Sequence, residues 1–298
     1  MANMVTRRPL SFGVKTAPQH TTYEGMLRVW QEADALPVFE HAWVFDHFVP
    51  LANLGNDPTG PCLEGWTLLA ALAARTERIR IGQMVTGNTY RHPAVLANMG
   101  ATVDVISHGR LDFGIGAGWH EGEHAMYGIP LYAPGERIRR LGEACEVIRQ
   151  LWTEPVATFD GKYYQLKDAV CEPKPVQRPH PPFVIGGSGE QLTLKVVAEY
   201  ADVWNFAGGP VETFIHKQSV LDEHCAKLGR DPATIQRSIQ LFMNPDDLAA
   251  GREALRGYIE AGATHIILNL RYPYADGIVR RLADEVAAPL AAEYPAAT

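Results

Sequence analysis

Residues 80–127 constrain everything else the chain can do. An apolar run at 79–85, a segment of helical periodicity at 93–106 and a second apolar run at 111–115 read as strand, helix, strand. Two strands joined through a helix run parallel, so the loops that follow them emerge on the same edge of the sheet. Both loops are chemically unusual: Met84, Val85, Thr86, Gly87 and Asn88 after the first, and Gly116, Ala117, Gly118 and Trp119 after the second, with a further short helix predicted beyond it. A site is expected where they meet.

The alternation continues along the chain. Strands are predicted at 10–16, 42–45, 79–85, 111–115, 183–185, 202–206, 235–243 and 265–270, with helices at 23–35, 64–75, 93–106, 134–151, 190–200, 211–228, 246–261 and 276–291. The first helix is started by Thr21 or Thr22, and in the helix at 134–151 Leu141, Ala144, Cys145 and Ile148 share one face. A Gly/Pro/Asn-bearing loop occupies 49–63. The pattern is interrupted at about 156–182, where Asp160-Gly161 between β-prone flanks suggests a hairpin and a proline cluster a rigid loop. This is read as an insertion within a single domain spanning 1–298. Eight β/α units in a chain of this length predict a closed (β/α)8 TIM barrel with insertions; an open doubly wound sheet is the alternative. In a barrel the active face is built from the loops after the strands. That topology selects Lys15, Thr16, Asp46, His47, residues 84–88, residues 116–120, residues 186–189, Asn205 and Asn269.

Charge narrows the partners. A net charge of −7 offers no basic field for nucleic acid or anionic membranes, and no stretch approaches membrane-spanning length. The N-terminus lacks the apolar core of a secretory signal, so a cytoplasmic location and a small-molecule substrate are expected. The four cysteines form no close pair and are expected to be reduced, Cys62 being the one in a loop.

Several motifs carry chemistry. His47, just past a barrel strand beside Asp46, suits proton transfer near neutrality. Gly186, Gly187, Ser188 and Gly189 ahead of a predicted helix can present N–H groups to an anion such as a phosphate. Residues 114–118, GIGAG, lack the spacing of a dinucleotide fingerprint and fit close approach of backbone to a flat ring equally well. Residues 120–124, HEGEH, formally match the zinc-hydrolase pattern, but a glycine sits in the middle and no third ligand stands out, so no metal is assigned.

With these residues in view, the chain resembles the bacterial luciferase-like superfamily, specifically its coenzyme F420-dependent oxidoreductase branch, and within it an actinobacterial subgroup of unsettled substrate. SFGVKTAPQ, AWVFDHF, GPCLEGWTLLAALA, MVTGNTYRHPAVLANMGATVDVIS, GRLDFGIGAGW, PPFVIGGSGE, ADVWNF and ATHIILNL carry the likeness over most of the chain. The resemblance implies a luciferase-like barrel with F420 at the strand ends, FMN being the alternative cofactor. Asp46 and His47 would lie at its ring, with His47 donating a proton or orienting the substrate. Met84 and Val85 would form a bulge with a non-prolyl cis peptide behind the ring. Thr86, Gly116, Ala117 and Gly118 would add contacts, and Gly186, Gly187, Ser188 and Gly189 would hold the phosphate.

In the sugar-phosphate dehydrogenases of that branch a glutamate follows the second glycine loop and serves as an acid. Here that position is Trp119 and Glu123 lies offset, so neither that proton relay nor that substrate is carried over. The function implied is hydride transfer between the deazaflavin C5 and a small organic substrate. A reduced-FMN monooxygenase is the alternative, and a zinc hydrolase using His120 and His124 a remote one. Lys15, Trp43, Trp119, Glu123, Asn205 and Arg271 are further pocket candidates, and a homodimer is expected by analogy.

Overall fold

A computed structural model describes residues 8–51 and 57–295. The N-terminal stretch read for a signal, and the middle of the loop predicted at 49–63, lie outside the described residues. In chain order the strands are β1 (Ser11–Thr16), β2 (Phe39–Asp46), β3 (Arg80–Gly87), β4 (Leu111–Gly116), β5 (Ala157–Asp160), β6 (Gln165–Ala169), β7 (Phe183–Gly186), β8 (Val203–Phe206), β9 (Gln236–Phe242) and β10 (His265–Leu270). Eight of them close into a parallel barrel in the order β1-β10-β9-β8-β7-β4-β3-β2, while β5 and β6 pair antiparallel on their own. The chain is therefore the closed (β/α)8 barrel, and the open sheet is excluded.

The helices are α1 (Tyr23–Asp34), α2 (Gly65–Ala73), α3 (Pro93–Ile106), α4 (Glu121–Met126), α5 (Pro134–Thr153), α6 (Thr193–Tyr200), α7 (Val211–Leu228), α8 (Leu248–Glu260), α9 (Ile278–Leu282) and α10 (Ala288–Glu293). Their starts follow local chemistry. Thr22 caps α1 by accepting from the Gly25 N–H at 3.1 Å, Glu64 caps α2 through Trp66 and Thr67, and α3 begins on Pro93. Most boundaries fall within two or three residues of the expectation, and two differences have a local cause. The helix after β7 starts at Thr193 instead of 190, because residues 190–192 form a turn in which Leu194 N–H bonds back to the Gly189 carbonyl at 2.9 Å. The last helix is divided by a π-helical turn at Ala283–Ala287. No helix among the described residues is long and apolar enough to cross a membrane.

Parity along each strand sorts side chains between two layers. On β4, Leu111, Phe113 and Ile115 join the main apolar core under the helices, where Phe113 meets Trp66, Trp152 and Phe183 at ring distances of 5.0–5.7 Å. Trp43, Met84, Val184, Val203 and Ile267 form a separate cluster inside the barrel. Polar groups complete that interior. His41 stacks on His265 at 3.9 Å, the Trp43 indole N–H donates to His41 Nδ1 at 2.6 Å, and Ser238 Oγ bonds both His265 Nδ1 and the Asn205 amide. Burial pushes His265 down to about 3 and His41 well below its ordinary value, so both rings are neutral structural elements of the barrel.

One strand departs from regular pairing. Register slips between Gly82 and Thr86 on the β4 side of β3, and between Val44 and Asp46 on its β2 side. The peptide between Met84 and Val85 in this bulge is cis. The bulged backbone reaches toward β4, where a Cβ on Gly114 would sit 1.7 Å from the Gln83 carbonyl oxygen. Gly114→Ala is accordingly expected to cost about 1–3 kcal/mol or more, as overpacking does; urea unfolding showing a loss below about 0.5 kcal/mol would contradict this close approach.

Candidate active site

A cavity of about 760 Å³ opens at the C-terminal ends of the strands. This is the size range of small-molecule sites, and most of its wall is apolar. His47, the residue after β2, lines it, with Met84, Val85, Thr86, Gly116, Ala117, Gly118, Gly186 and Gly187. Ser188 and Gly189 do not reach the cavity wall; the turn that delays α6 brings Thr193 to the wall instead.

Asp46 and His47 are consecutive, so strand parity sends them to opposite sides. Asp46 is fully buried and faces away from the cavity toward Arg91, whose guanidinium grips it through two bonds of 2.6 and 3.0 Å. Thr86 also donates to Asp46, and Arg91 extends to Glu64 at the start of α2. Burial pushes the Asp46 carboxyl above its ordinary range even against this pairing. Asp46 has an anchoring geometry: it ties the β3–α3 loop to the end of β2.

His47 faces inward. Its Nδ1 meets Glu123 Oε2 at 2.8 Å, and Glu123, on α4, has no exposed surface. The Tyr90 hydroxyl and the Phe48 N–H donate to the same carboxylate, and the Val49 N–H approaches at 3.3 Å. Burial alone would raise Glu123, but His47, Tyr90 and the Phe48 N–H outweigh it and hold the carboxyl down at about 2. An ionised carboxylate only accepts, so the proton in this contact belongs to His47 Nδ1. In the neutral ring Nε2 is then a bare acceptor, on a side chain that lines the cavity. Trp119 stands at the rim, half exposed, with its ring 5.6 Å from that of His47 and edge-on to it.

The floor of the cavity has one protruding side chain. A Cβ on Gly116 would lie 2.9 Å from Val85 Cγ2, and one on Gly186 would lie 3.4 Å from both Val85 methyls. The two glycines leave the width that Val85 fills, so the cis-linked Met84–Val85 segment presents a blunt apolar brace beneath the open volume. Such a brace, glycine-edged walls and one fixed imidazole suit a flat ring with a polar tail.

The HEGEH stretch has a different use. His120 caps α4 by accepting from the Glu123 N–H at 3.0 Å, while His124 bonds the His120 carbonyl through Nδ1 and Thr89 through Nε2, both at 2.7 Å. Both nitrogens of His124 and Nδ1 of His120 are engaged by the fold, and among the described residues no group of three or more His, Cys, Asp or Glu could hold a metal. Burial also pushes the Cys62 thiol up to about 12, which makes it a poor nucleophile. Tyr90, Arg91, Glu64, Arg137, Thr193 and Gln240 are site residues that motif reading missed. The usable signals were loop position for Tyr90 and Arg91 and inward parity on β9 for Gln240.

Comparison with known proteins adds independent findings. The sequence profile of the family described as Luciferase-like monooxygenase matches residues 10–296. An uncharacterized protein of Mycobacterium tuberculosis is 33% identical over 239 residues, covering 79% of this chain and 80% of the relative. An F420-dependent glucose-6-phosphate dehydrogenase of Microbacterium testaceum is 32% identical over 243 residues, covering 80% and 70%. Among solved structures, an F420-dependent secondary alcohol dehydrogenase in complex with an F420-acetone adduct superposes with a TM-score of 0.82 at 19% identity, over 94% of this chain and 99% of that one.

Glu123 generates a pH prediction. Its carboxyl is held at about 2 in the fold against an ordinary 4.5, so its contribution is complete above about 4.5 and is lost as pH falls toward 2. Unfolding of wild type and Glu123→Gln, followed by denaturant between pH 7 and pH 3, should show a stability gap that narrows on acidification below about 4.5. A gap of constant size across that range would contradict the assignment.

Proposed function

The chain belongs to the luciferase-like monooxygenase family, and from that premise we propose that it is a coenzyme F420-dependent oxidoreductase exchanging a hydride with a small organic substrate. Relatives named as F420-dependent dehydrogenases support the cofactor. The observation that carries the reading is His47, held by buried Glu123 with one nitrogen left to a cavity floored by Val85.

When bound, F420 supplies the hydride through C5 of its deazaflavin. Met84, Val85, Thr86, Gly116, Ala117 and Gly118 would take the ring. Asp46 would act on it only through Thr86 and the β3 loop. The tail phosphate is assigned to the loop of Gly186, Gly187, Ser188 and Gly189, joined by Thr193 and Arg137. His47 Nε2 holds the substrate's proton: the neutral ring accepts it during alcohol oxidation, and the protonated ring returns it during reduction. The Glu123 carboxylate keeps Nε2 available and stabilises the imidazolium once it forms, while Tyr90 completes the hydrogen bonding of that carboxylate. The family analogy extends to a homodimer, for which light scattering should give twice the chain's 32.8 kDa.

Two measurements test this reading. Titration of the protein with F420 and with FMN should show tight binding of F420 and weak binding of FMN; the reverse, with oxygen consumed and product oxygenated, would assign a reduced-flavin monooxygenase instead. His47→Ala should then lower turnover by about 10²- to 10⁴-fold while leaving F420 affinity within about threefold, the pattern of a group that acts on the proton and not on binding. Unchanged turnover would remove His47 from the mechanism.

A further inference from the structure

The charged side chains on the cavity wall are all basic. Lys15, Arg137 and Arg271 line it with histidines, and no Asp or Glu does so among the described residues, in a chain whose net charge is −7. These cations fall at two poles. Arg137 stands on α5, which packs against α6, the helix that follows Gly186 and Gly187 at the end of β7. Lys15 belongs to β1, and Arg271 follows the adjacent β10. In the closed order β1 is four strands from β7 in either direction, so the two poles face each other across the barrel mouth.

The Lys15 pole is built from the inside of the barrel. Its ammonium donates to Gln240 Oε1 at 2.8 Å, and no carboxylate of the described residues pairs with it. The same Gln240 oxygen accepts from the Asn269 amide at 3.3 Å, while Asn269 Oδ1 is buried without a hydrogen-bond partner. An ammonium carries three donors, and Gln240 uses one. Two remain on a side chain that lines the cavity, beside Asn269 in the β1–β10 register, whose acceptor also lacks a partner. Arg271 sits two residues past Asn269, its guanidinium stacked 4.6 Å from the centre of the Phe242 ring and without a carboxylate partner among the described residues. Burial lowers Lys15 to about 8, the mark of a cation held out of water without a counter-charge. A wall meant only to pack against an apolar substrate would gain nothing from such a residue.

We propose that Lys15, Gln240 and Asn269, with Arg271 above them, form a substrate-anion subsite, and that the substrates are small organic acids whose carboxylate meets Lys15 and whose neighbouring hydroxyl or N–H meets Asn269. This rests on the F420 reading only in assigning the opposite pole to the cofactor's tail. Lys15 is then a specificity-determining residue: it selects the charged end of a substrate whose reacting carbon lies nearer His47, just past the adjacent β2.

The test compares matched acids and amides by calorimetry, with crotonate, benzoate and 3-hydroxybutyrate against crotonamide, benzamide and 3-hydroxybutyramide. Each is titrated into cofactor-free and F420-saturated protein. Wild type should bind at least one acid about 10- to 100-fold more tightly than its amide, the range of a charge-assisted hydrogen bond. Lys15→Met should abolish that preference while keeping F420 affinity within about threefold, and Lys15→Arg should retain part of it. Circular dichroism restricts the comparison to folded variants; if Lys15→Met does not fold, Lys15→Gln takes its place. Failure to bind any acid, equal binding of acids and amides, or a preference that survives loss of the ammonium would overturn the proposal. So would a loss of F420 affinity matching the loss of acid affinity, since Lys15 would then serve the cofactor. Acid binding to cofactor-free protein does not depend on F420, so failure of the cofactor reading and failure of this one give different results.

Discussion

A closed parallel barrel sorts every strand residue by parity, and the site depends on that sorting at the end of β2. Asp46 and His47 are one peptide apart yet answer to opposite layers: Asp46 to Arg91 under the helices, His47 to Glu123 at the mouth. Each contact fastens a different loop, the one after β3 through Arg91 and the one after β4 through α4. A buried ion pair and a buried carboxylate–imidazole hydrogen bond on adjacent residues thereby set the positions of both loops that contain the unusual chemistry. Such pairs contribute little net stability when balanced against desolvation, but a partner left alone is costly, so they specify geometry strongly.

The same logic underlies the role proposed for the histidine. Glu123 is surrounded by donors: the His47 ring, the Tyr90 hydroxyl and the backbone at 48 and 49. With the acceptor fixed as an anion, the imidazole has one available neutral tautomer. Contrast His265 and His41, deep in the barrel, where burial first and the Arg80 charge besides push both rings toward the neutral form. Neither has the carboxylate contact that holds His47.

Much of this was legible in the sequence, and the limits have physical causes. Alternating strand and helix periodicity located all eight barrel strands, and the unusual loops lie at the end of the barrel where the cavity opens. What periodicity could not show was direction at a bulge. The slip in β3 resets which residues face inward, so the placement of Met84, Val85 and Thr86 is visible only in three dimensions. Pairings distant in sequence were also hidden: Glu123 reaches His47 across 76 positions, and Arg91 reaches Asp46 across 45. HEGEH, to which no metal was assigned, has another use in the fold: His120 caps α4, His124 fastens it, and Glu123, the second acid, bonds His47. The delayed start of α6 had no marker, since Leu192 carries no capping side chain.

The account stands on one proton: the hydrogen on His47 Nδ1, held by the Glu123 carboxylate. Its most direct measurement is long-range ¹H–¹⁵N correlation NMR of the imidazole nitrogens at a pH where the ring is neutral. The account predicts a protonated Nδ1 and a bare Nε2 in the wild type, with the tautomers mixing in Glu123→Gln. A neutral ring that carries its proton on Nε2 in the wild type would contradict it, because the nitrogen facing the cavity would then have no lone pair with which to take a proton from a substrate.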